Sequence, residues 1–168
     1  LVSAAVSIGL SGAGSLDFAI AATLAQNTVQ GSTQAIVDAS DVDAATLTVT
    51  ALGDAVIDSD AIAAALTLSA SGGLTLGGAG AGADSKNVMN NVIEASIRGG
   101  SDVSTTGAVA LAATDQSDID ADVLSAAVSL GFSGGGSANI AVAVSLTEVD
   151  YSTETLALID DSSVIATS

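Results

Sequence analysis

Hydrophobic and polar residues alternate along almost the whole chain. Thr46-Leu47-Thr48-Val49-Thr50-Ala51 sets Leu47, Val49 and Ala51 on one side, and Ile140-Ala141-Val142-Ala143-Val144-Ser145-Leu146 sets four large aliphatics against small residues. A period of two is that of a β-strand. Val6-Ser7-Ile8-Gly9-Leu10, Leu66-Thr67-Leu68, Leu74-Thr75-Leu76, Val109-Ala110-Leu111 and Val128-Ser129-Leu130-Gly131-Phe132 follow the same rule. The large aliphatics are expected to face the core, leaving flat faces of Ala, Gly and Ser that invite lateral packing between solenoids or against another segment of the chain. Ala61 to Leu66 (AIAAAL) has helical propensity, but the aligned Val123 to Val128 adds β-branched residues and Ser, so both read as strand.

Breakers rich in Gly, Ser and Asp separate these runs: Ser11 to Ser15, Ser71 to Gly73, Gly77 to Gly82, Gly99 to Asp102 and Ser133 to Ser137. Gly reaches positive φ, and Asp and Ser make local side-chain turns, so all five read as corners. The chain has no Pro, which suits ladders in which every backbone N–H is used.

The chain also repeats itself. Ala4 to Leu24 (AAVSIGLSGAGSLDFAIAATL) returns 122 residues later as Ala126 to Leu146 (AAVSLGFSGGGSANIAVAVSL), identical at 12 of 21 positions without a gap. Ile36 to Val42 maps onto Leu158 to Val164 at the same spacing, and Leu47 to Gly73 aligns more weakly with Val109 to Gly135, halfway along. The unit is therefore about 61 residues, dividing the chain into 1–61, 62–123 and 124–168. Such units stack to bury a shared core, and the predicted class is all-β: a parallel β-solenoid. An aliphatic-acid-small-Ser/Asp step recurs at Val37, Ile57, Ile93, Ile119 and Ile159, and its spacings suggest coils of about 20 residues, three per repeat, or two of about 30.

Composition narrows the function. Apolar residues make up 49% of the chain and Phe18, Phe132 and Tyr151 are its only aromatics, so the core is expected to be thin. The net charge of -17 opposes the phosphate contacts of nucleic-acid binding and disfavours anionic membrane surfaces. With no His and no Cys, the commonest acid/base group and two transition-metal ligands are missing. Gly, Ser, Thr and Asp interrupt every apolar stretch before it reaches the length of a membrane-spanning helix, so membrane insertion is not expected. Leu1 is no natural start, and the chain begins and ends inside a repeat. It is therefore expected to be a piece of a longer array, or a subunit that completes its end coils on the next copy.

Ala-rich alternating strands, the corners SGAGS and SGGGS, the following strand Ser137-Ala138-Asn139-Ile140-Ala141-Val142 and the Ile-Asp-Ser-x-Val step resemble repeats of very large bacterial surface proteins, the leukotoxin-type and haemagglutinin-like filamentous adhesins. The resemblance spans essentially the whole chain and rests on composition and period. It implies a secreted β-solenoid stalk at the bacterial cell surface and carries no catalytic residues.

Candidate chemistry is sparse. Gly77 to Ser85 is similar to the calcium-binding Gly/Asp nonapeptide of secreted toxins, but Gly82 stands where the carboxylate belongs and Asp84 comes two residues late. Asp118, Asp120 and Asp122, with Asp115, form an acid cluster echoed by Asp54, Asp58 and Asp60. Alternation gives the first three a common strand face, which is the solvent face if Ile119 and Val123 point inward. Thr46, Thr48 and Thr50 share a face as in ice-binding arrays, yet the aligned residues are Ala108, Ala110 and Ala112. Lys86 and Arg98 are the only bases, too few for carbohydrate-cleaving chemistry built on carboxylate pairs. No catalytic, cofactor-binding or metal residue is assigned, and an enzyme is not expected. The expected role is a structural or adhesive module, a stiff spacer or filament-forming segment that self-associates head to tail or laterally; its adhesion target is left open. The alternative is a calcium-binding secreted repeat module held by Ca²⁺.

Overall fold

The computed structural model describes residues 1–167. They form eleven strands and no helix: β1 (Val2–Ser11), β2 (Gly14–Asp38), β3 (Asp41–Ala44), β4 (Leu47–Gly53), β5 (Val56–Ser71), β6 (Leu74–Arg98), β7 (Asp102–Thr105), β8 (Val109–Asp115), β9 (Asp118–Ser133), β10 (Gly136–Ile159) and β11 (Ser163–Ala166). Strands from successive repeats are neighbours, in the orders β1-β5-β9, β10-β6-β2, β11-β7-β3 and β4-β8. The pairing is parallel, as in Val2 with Ile62, Val42 with Val103 and Leu47 with Val109. This is a parallel β-solenoid.

Those pairs lie 60, 61 and 62 residues apart, so one repeat makes one coil. The expectation of two or three coils per repeat is corrected, and its source is visible. The aliphatic-acid steps at Val37 and Ile159 sit beside equivalent corners, Ile57 and Ile119 begin equivalent strands, and Ile93 lies inside β6. Their spacings mixed three separate rows.

The described residues fold as two compact units: 1–27, 58–87 and 120–149 form the first, and 28–57, 88–119 and 150–167 the second. In the first unit, β1, β5 and β9 face the beginnings of β2, β6 and β10, joined by turns at Gly12-Ala13, Gly72-Gly73 and Gly134-Gly135. Side chains on the inner faces meet across each coil: Ser3 with Thr23 (2.6 Å), Ser71 with Thr75 (2.7 Å) and Ser125 with Ser145 (2.9 Å). Sheets linked by two short hydroxyl side chains approach closer than the usual ~10 Å, so the core is Ala19, Ala21, Ala61, Ala63, Ala65, Ala79, Ala81 and Ala83. The other buried side chains of this unit are Ser, Thr and Asn, with no large aliphatic among them.

The second unit is built the ordinary way. Val49, Ala51, Ile93 and Ala95 are buried, with Val37, Leu47 and Leu111 packed against them, and Met89, Ile97 and Val103 are fully enclosed. Leu47, Val49 and Ala51 face inward as expected, with Thr46, Thr48 and Thr50 exposed. Its corners are left-handed: Ala39 and Asp161 take positive φ, as do Gly99 and Gly100 in the middle coil. A serine ladder spans them. Ser40 N donates to Ser101 Oγ and Ser101 N to Ser162 Oγ, each at 3.2 Å.

Candidate functional site

The large aliphatics of the first unit lie outside, contrary to the expected inward facing. Val6, Ile8 and Leu10 of β1, Leu66 of β5, and Leu124, Val128, Leu130 and Phe132 of β9 are exposed on one sheet. Leu16, Phe18, Ile20 and Leu24 of β2, Leu74 and Leu76 of β6, and Ile140, Val142, Val144 and Leu146 of β10 are exposed on the other. Leu10 is 80% exposed and Ile20 79%. The reason is steric. With Ala and Ser filling the gap between the sheets, the alternate positions have only the outside to occupy.

The result is an apolar mantle on both outward faces. Its ionisable neighbours stand at the borders: Asp58 and Asp60 before Ile62, Asp120 and Asp122 before Leu124, and Asp84, Lys86 and Glu148 on the other sheet. Asp118, Asp120 and Asp122 do share the outward face, with Ile119 and Val123 turned inward. Both bases of the chain lie in the middle coil and link it to another: Lys86 Nζ to Glu148 Oε1 at 2.5 Å, and Arg98 Nε to Asp38 Oδ2 at 3.5 Å. In the second unit Arg98 also reaches the buried Glu94 at 3.3 Å, whose carboxylate accepts from Ser96 and Gln34 as well. Buried charge is tolerated when paired in this way.

Gly77 to Gly82 is not a corner; it lies within the extended β6. Its glycines serve two faces. Inward, a Cβ on Gly77 would stand 2.6 Å from Asn139 Oδ1 and 2.9 Å from Ser129 Oγ, so the absent side chain makes room for the neighbouring coil. Outward, a Cβ on Gly78 would stand 2.5 Å from the Phe18 ring, which leans over the glycine backbone. The segment with the calcium-loop likeness is thus a run of small residues inside a strand. Among the described residues no three carboxylates converge on a point that could hold a cation.

The small-residue face is buried between the sheets in the middle strands, at Ala63, Ala65, Ala79 and Ala81, whereas Ala141, Ala143 and Ser145 of β10 stay exposed. Ala141 and Ala143 lie on the same side of β10 as Asn139 and Ser145, which reach Ser129 and Ser125 of β9. Sequence reasoning identified the flat faces and missed the mantle. The signal was the close spacing of the hairpin arms: Ser and Ala recur on both sides of each Gly turn at matching distances, leaving no room for Leu or Ile between them.

A polar knot lies in the second unit. Asp115 accepts from Ser117 N at 3.0 Å, from Ser117 Oγ at 2.5 Å and from Tyr151 OH at 2.5 Å. The Ser117 hydroxyl, then Tyr151, hold the Asp115 carboxyl below its ordinary value, and the carboxylate raises the Tyr151 phenol. Neighbouring groups are hydroxyls and further acids, and the knot ties the Ser117 corner to Tyr151 of β10. No protein-family model matches the chain, and neither a curated protein nor a solved structure is similar to it.

Proposed function

We propose that the chain is a structural module, a segment of β-solenoid wall in an extracellular bacterial surface protein, and that it works by packing its apolar mantle against the mantle of neighbouring copies. The observation that carries this reading is the mantle itself. Contiguous apolar patches beyond a few hundred Å² mark surfaces that become covered, and here both outward faces of the first unit qualify. The resemblance to filamentous adhesin repeats supports the extracellular setting.

The carboxylates of Asp58, Asp60, Asp120 and Asp122 beside the mantle favour protein over an anionic lipid surface as the cover. Coil size also bears on the role: each coil takes about 61 residues for a rise of ~4.8 Å, so little reach is gained per residue. The chain serves better as a wall segment than as a slender stalk.

Sedimentation velocity on the purified chain tests this, with Leu66→Lys and Leu130→Lys as mantle variants. The unaltered chain is expected to associate, and both variants to keep the β circular dichroism spectrum while losing association. Equal association of the variants, or co-flotation of the unaltered chain with phosphatidylcholine vesicles, would overturn the reading.

A further inference from the structure

The two outward faces of the first unit differ in relief along the middle coil. On the face of β2, β6 and β10, the middle strand presents Gly80 and Gly82, with Ile20 of β2 on one side and Val142 and Val144 of β10 on the other. The neighbours follow from the register: a Cβ on Gly80 would stand 3.8 Å from Ile20 Cγ1, and further along the same face Lys86 meets Glu148. A Cβ on Gly82 would meet nothing within 4 Å, and the Phe18 ring closes the end of the trough over Gly78. The walls lie two strand spacings of ~4.8 Å apart, which admits a single row of side chains.

The face of β1, β5 and β9 has the opposite relief. Leu66 of the middle strand stands between the shorter Val6 and Val128. Ridge and trough also share a level. Ser71 faces Thr75 across the gap at 2.7 Å, as Asp17 faces Gly9 in the first coil, and five residues on from Ser71 and Thr75 come Leu66 and Gly80. At the far border Ser59 faces Ser85 at 2.8 Å, and the next residues, Asp60 and Lys86, point away from the gap on opposite faces. Lys86 is the only Lys or Arg of the first unit, whereas the border of the ridge face carries Asp58, Asp60, Asp120 and Asp122.

We propose that the ridge face of one copy packs on the trough face of the next, with Leu66 entering the trough at Gly80 and Asp60 lying over Lys86. This rests on the lateral packing proposed above and specifies which faces meet. A copy displaced along the sheet normal without rotation makes both contacts at once, because each pair already shares a level in the middle coil. The Lys86 ammonium carries three donors, so it can hold Asp60 of the next copy together with its own Glu148. Two copies meeting through their trough faces would enclose a void, and two meeting through their ridge faces would leave Lys86 outside the contact. Ridge and trough belong to a coil flanked on both sides, so further coils along the axis would leave them in place. The contact joins unlike faces and therefore adds layers without closing.

Sedimentation velocity tests the pairing on the unaltered chain, Leu66→Lys, Gly80→Lys and an equimolar mixture of the two variants, with circular dichroism as the control for folding. Each variant has one face blocked and the other intact. Alone, each is expected to stay monomeric where the unaltered chain associates, its dissociation constant raised roughly tenfold or more. The mixture is expected to form one-to-one dimers and stop there, the intact trough of Leu66→Lys receiving the intact ridge of Gly80→Lys. A variant that dimerises by itself, or a mixture that stays monomeric or grows past the dimer, would overturn the pairing of unlike faces while leaving lateral packing in place. An unaltered chain that stays monomeric would overturn both. Gly80→Leu then separates fit from apolar area: it adds area but fills the trough, and is expected to weaken association roughly tenfold. The exchange Leu66→Gly/Gly80→Leu moves the ridge to the other face and is expected to associate within about threefold of the unaltered chain. Gly80→Leu associating as tightly as the unaltered chain, or an exchange no better than Gly80→Leu, would overturn the insertion of Leu66.

Discussion

The two units apply the same alternating pattern with opposite sign. In the second, Val49, Ile93, Ile97 and Val103 are inside and Thr48 and Thr50 outside; in the first, Ala63, Ala65, Ala79 and Ala81 are inside and Leu66, Val128 and Val142 outside. Hydrophobicity alone would place the larger side chains inside both. What differs is the space between facing sheets. Paired hydroxyls such as Ser3 and Thr23 fix a narrow gap in the first unit, and close packing then selects by volume before it selects by polarity. A thin core of Ala buries little area per residue, so the mantle is where the first unit has apolar area left to bury.

The sharpest way to break this contrast is to change core volume in opposite directions. Ala81→Leu in the first unit is expected to cost about 3 kcal/mol or more, since the opposing sheet cannot retreat without breaking its hydroxyl pairs. Ile93→Ala in the second unit is expected to cost about 3 kcal/mol through the cavity it leaves. Leu66→Ala, on the mantle, should stay within about 0.5 kcal/mol of the unaltered chain. Denaturant unfolding at a concentration where the chain is monomeric measures all three. If Ala81→Leu proved neutral and Leu66→Ala costly, the first unit would be an ordinary core with its faces reversed.

A smaller comparison within β6 sharpens the same point, because adjacent glycines test the two faces. Gly77→Ala pushes against Asn139 and Ser129 in the gap and is expected to cost about 1 kcal/mol. Gly78→Ala meets only the Phe18 ring, which is exposed and free to swing away, so a cost under about 0.5 kcal/mol is expected. Equal costs would mean that the inner gap is no tighter than open surface.

The sequence showed the class and the register more clearly than the facing. Alternation fixed the strands, including Ala61–Leu66, and the ungapped 122-residue repeat anticipated the near equivalence of the first and third coils. The facing was hidden because period-two patterns are symmetric: LSLSL reads the same whether Leu or Ser is buried. Coil length was hidden for another reason. The Asp/Ser steps at Val37 and Ile57 occupy different corners of one coil, and only pairing partners such as Val42 and Val103 show which steps stack. The Asp17-Gly9 opposition was legible in principle from Gly and Asp placed symmetrically about the Ser11–Gly14 turn, once the strands on either side are known to face each other.

The smallest expected effect belongs to the second unit, whose polar exterior is held by local hydrogen bonds. Asp115 is held below its ordinary value chiefly by the Ser117 hydroxyl and Tyr151. A carboxyl whose folded value is depressed contributes stability above its unfolded value and loses it as pH falls through the folded one. Asp115→Asn should therefore melt below the unaltered chain at neutral pH, and the difference should vanish in strong acid. Tyr151 is shifted upward, mainly by Asp115, so its contribution is present below the ordinary phenol value and fades as pH rises through the folded one. Tyr151→Phe should accordingly lower the melting temperature at neutral pH, with the gap closing in strong alkali as well as in strong acid. Both groups lie near solvent, which keeps these shifts small. Melting curves from pH 2 to pH 11 would decide it: a Tyr151→Phe difference that did not change across that range would mean that the phenol acts by packing alone and that the hydrogen bond to Asp115 adds nothing to the corner.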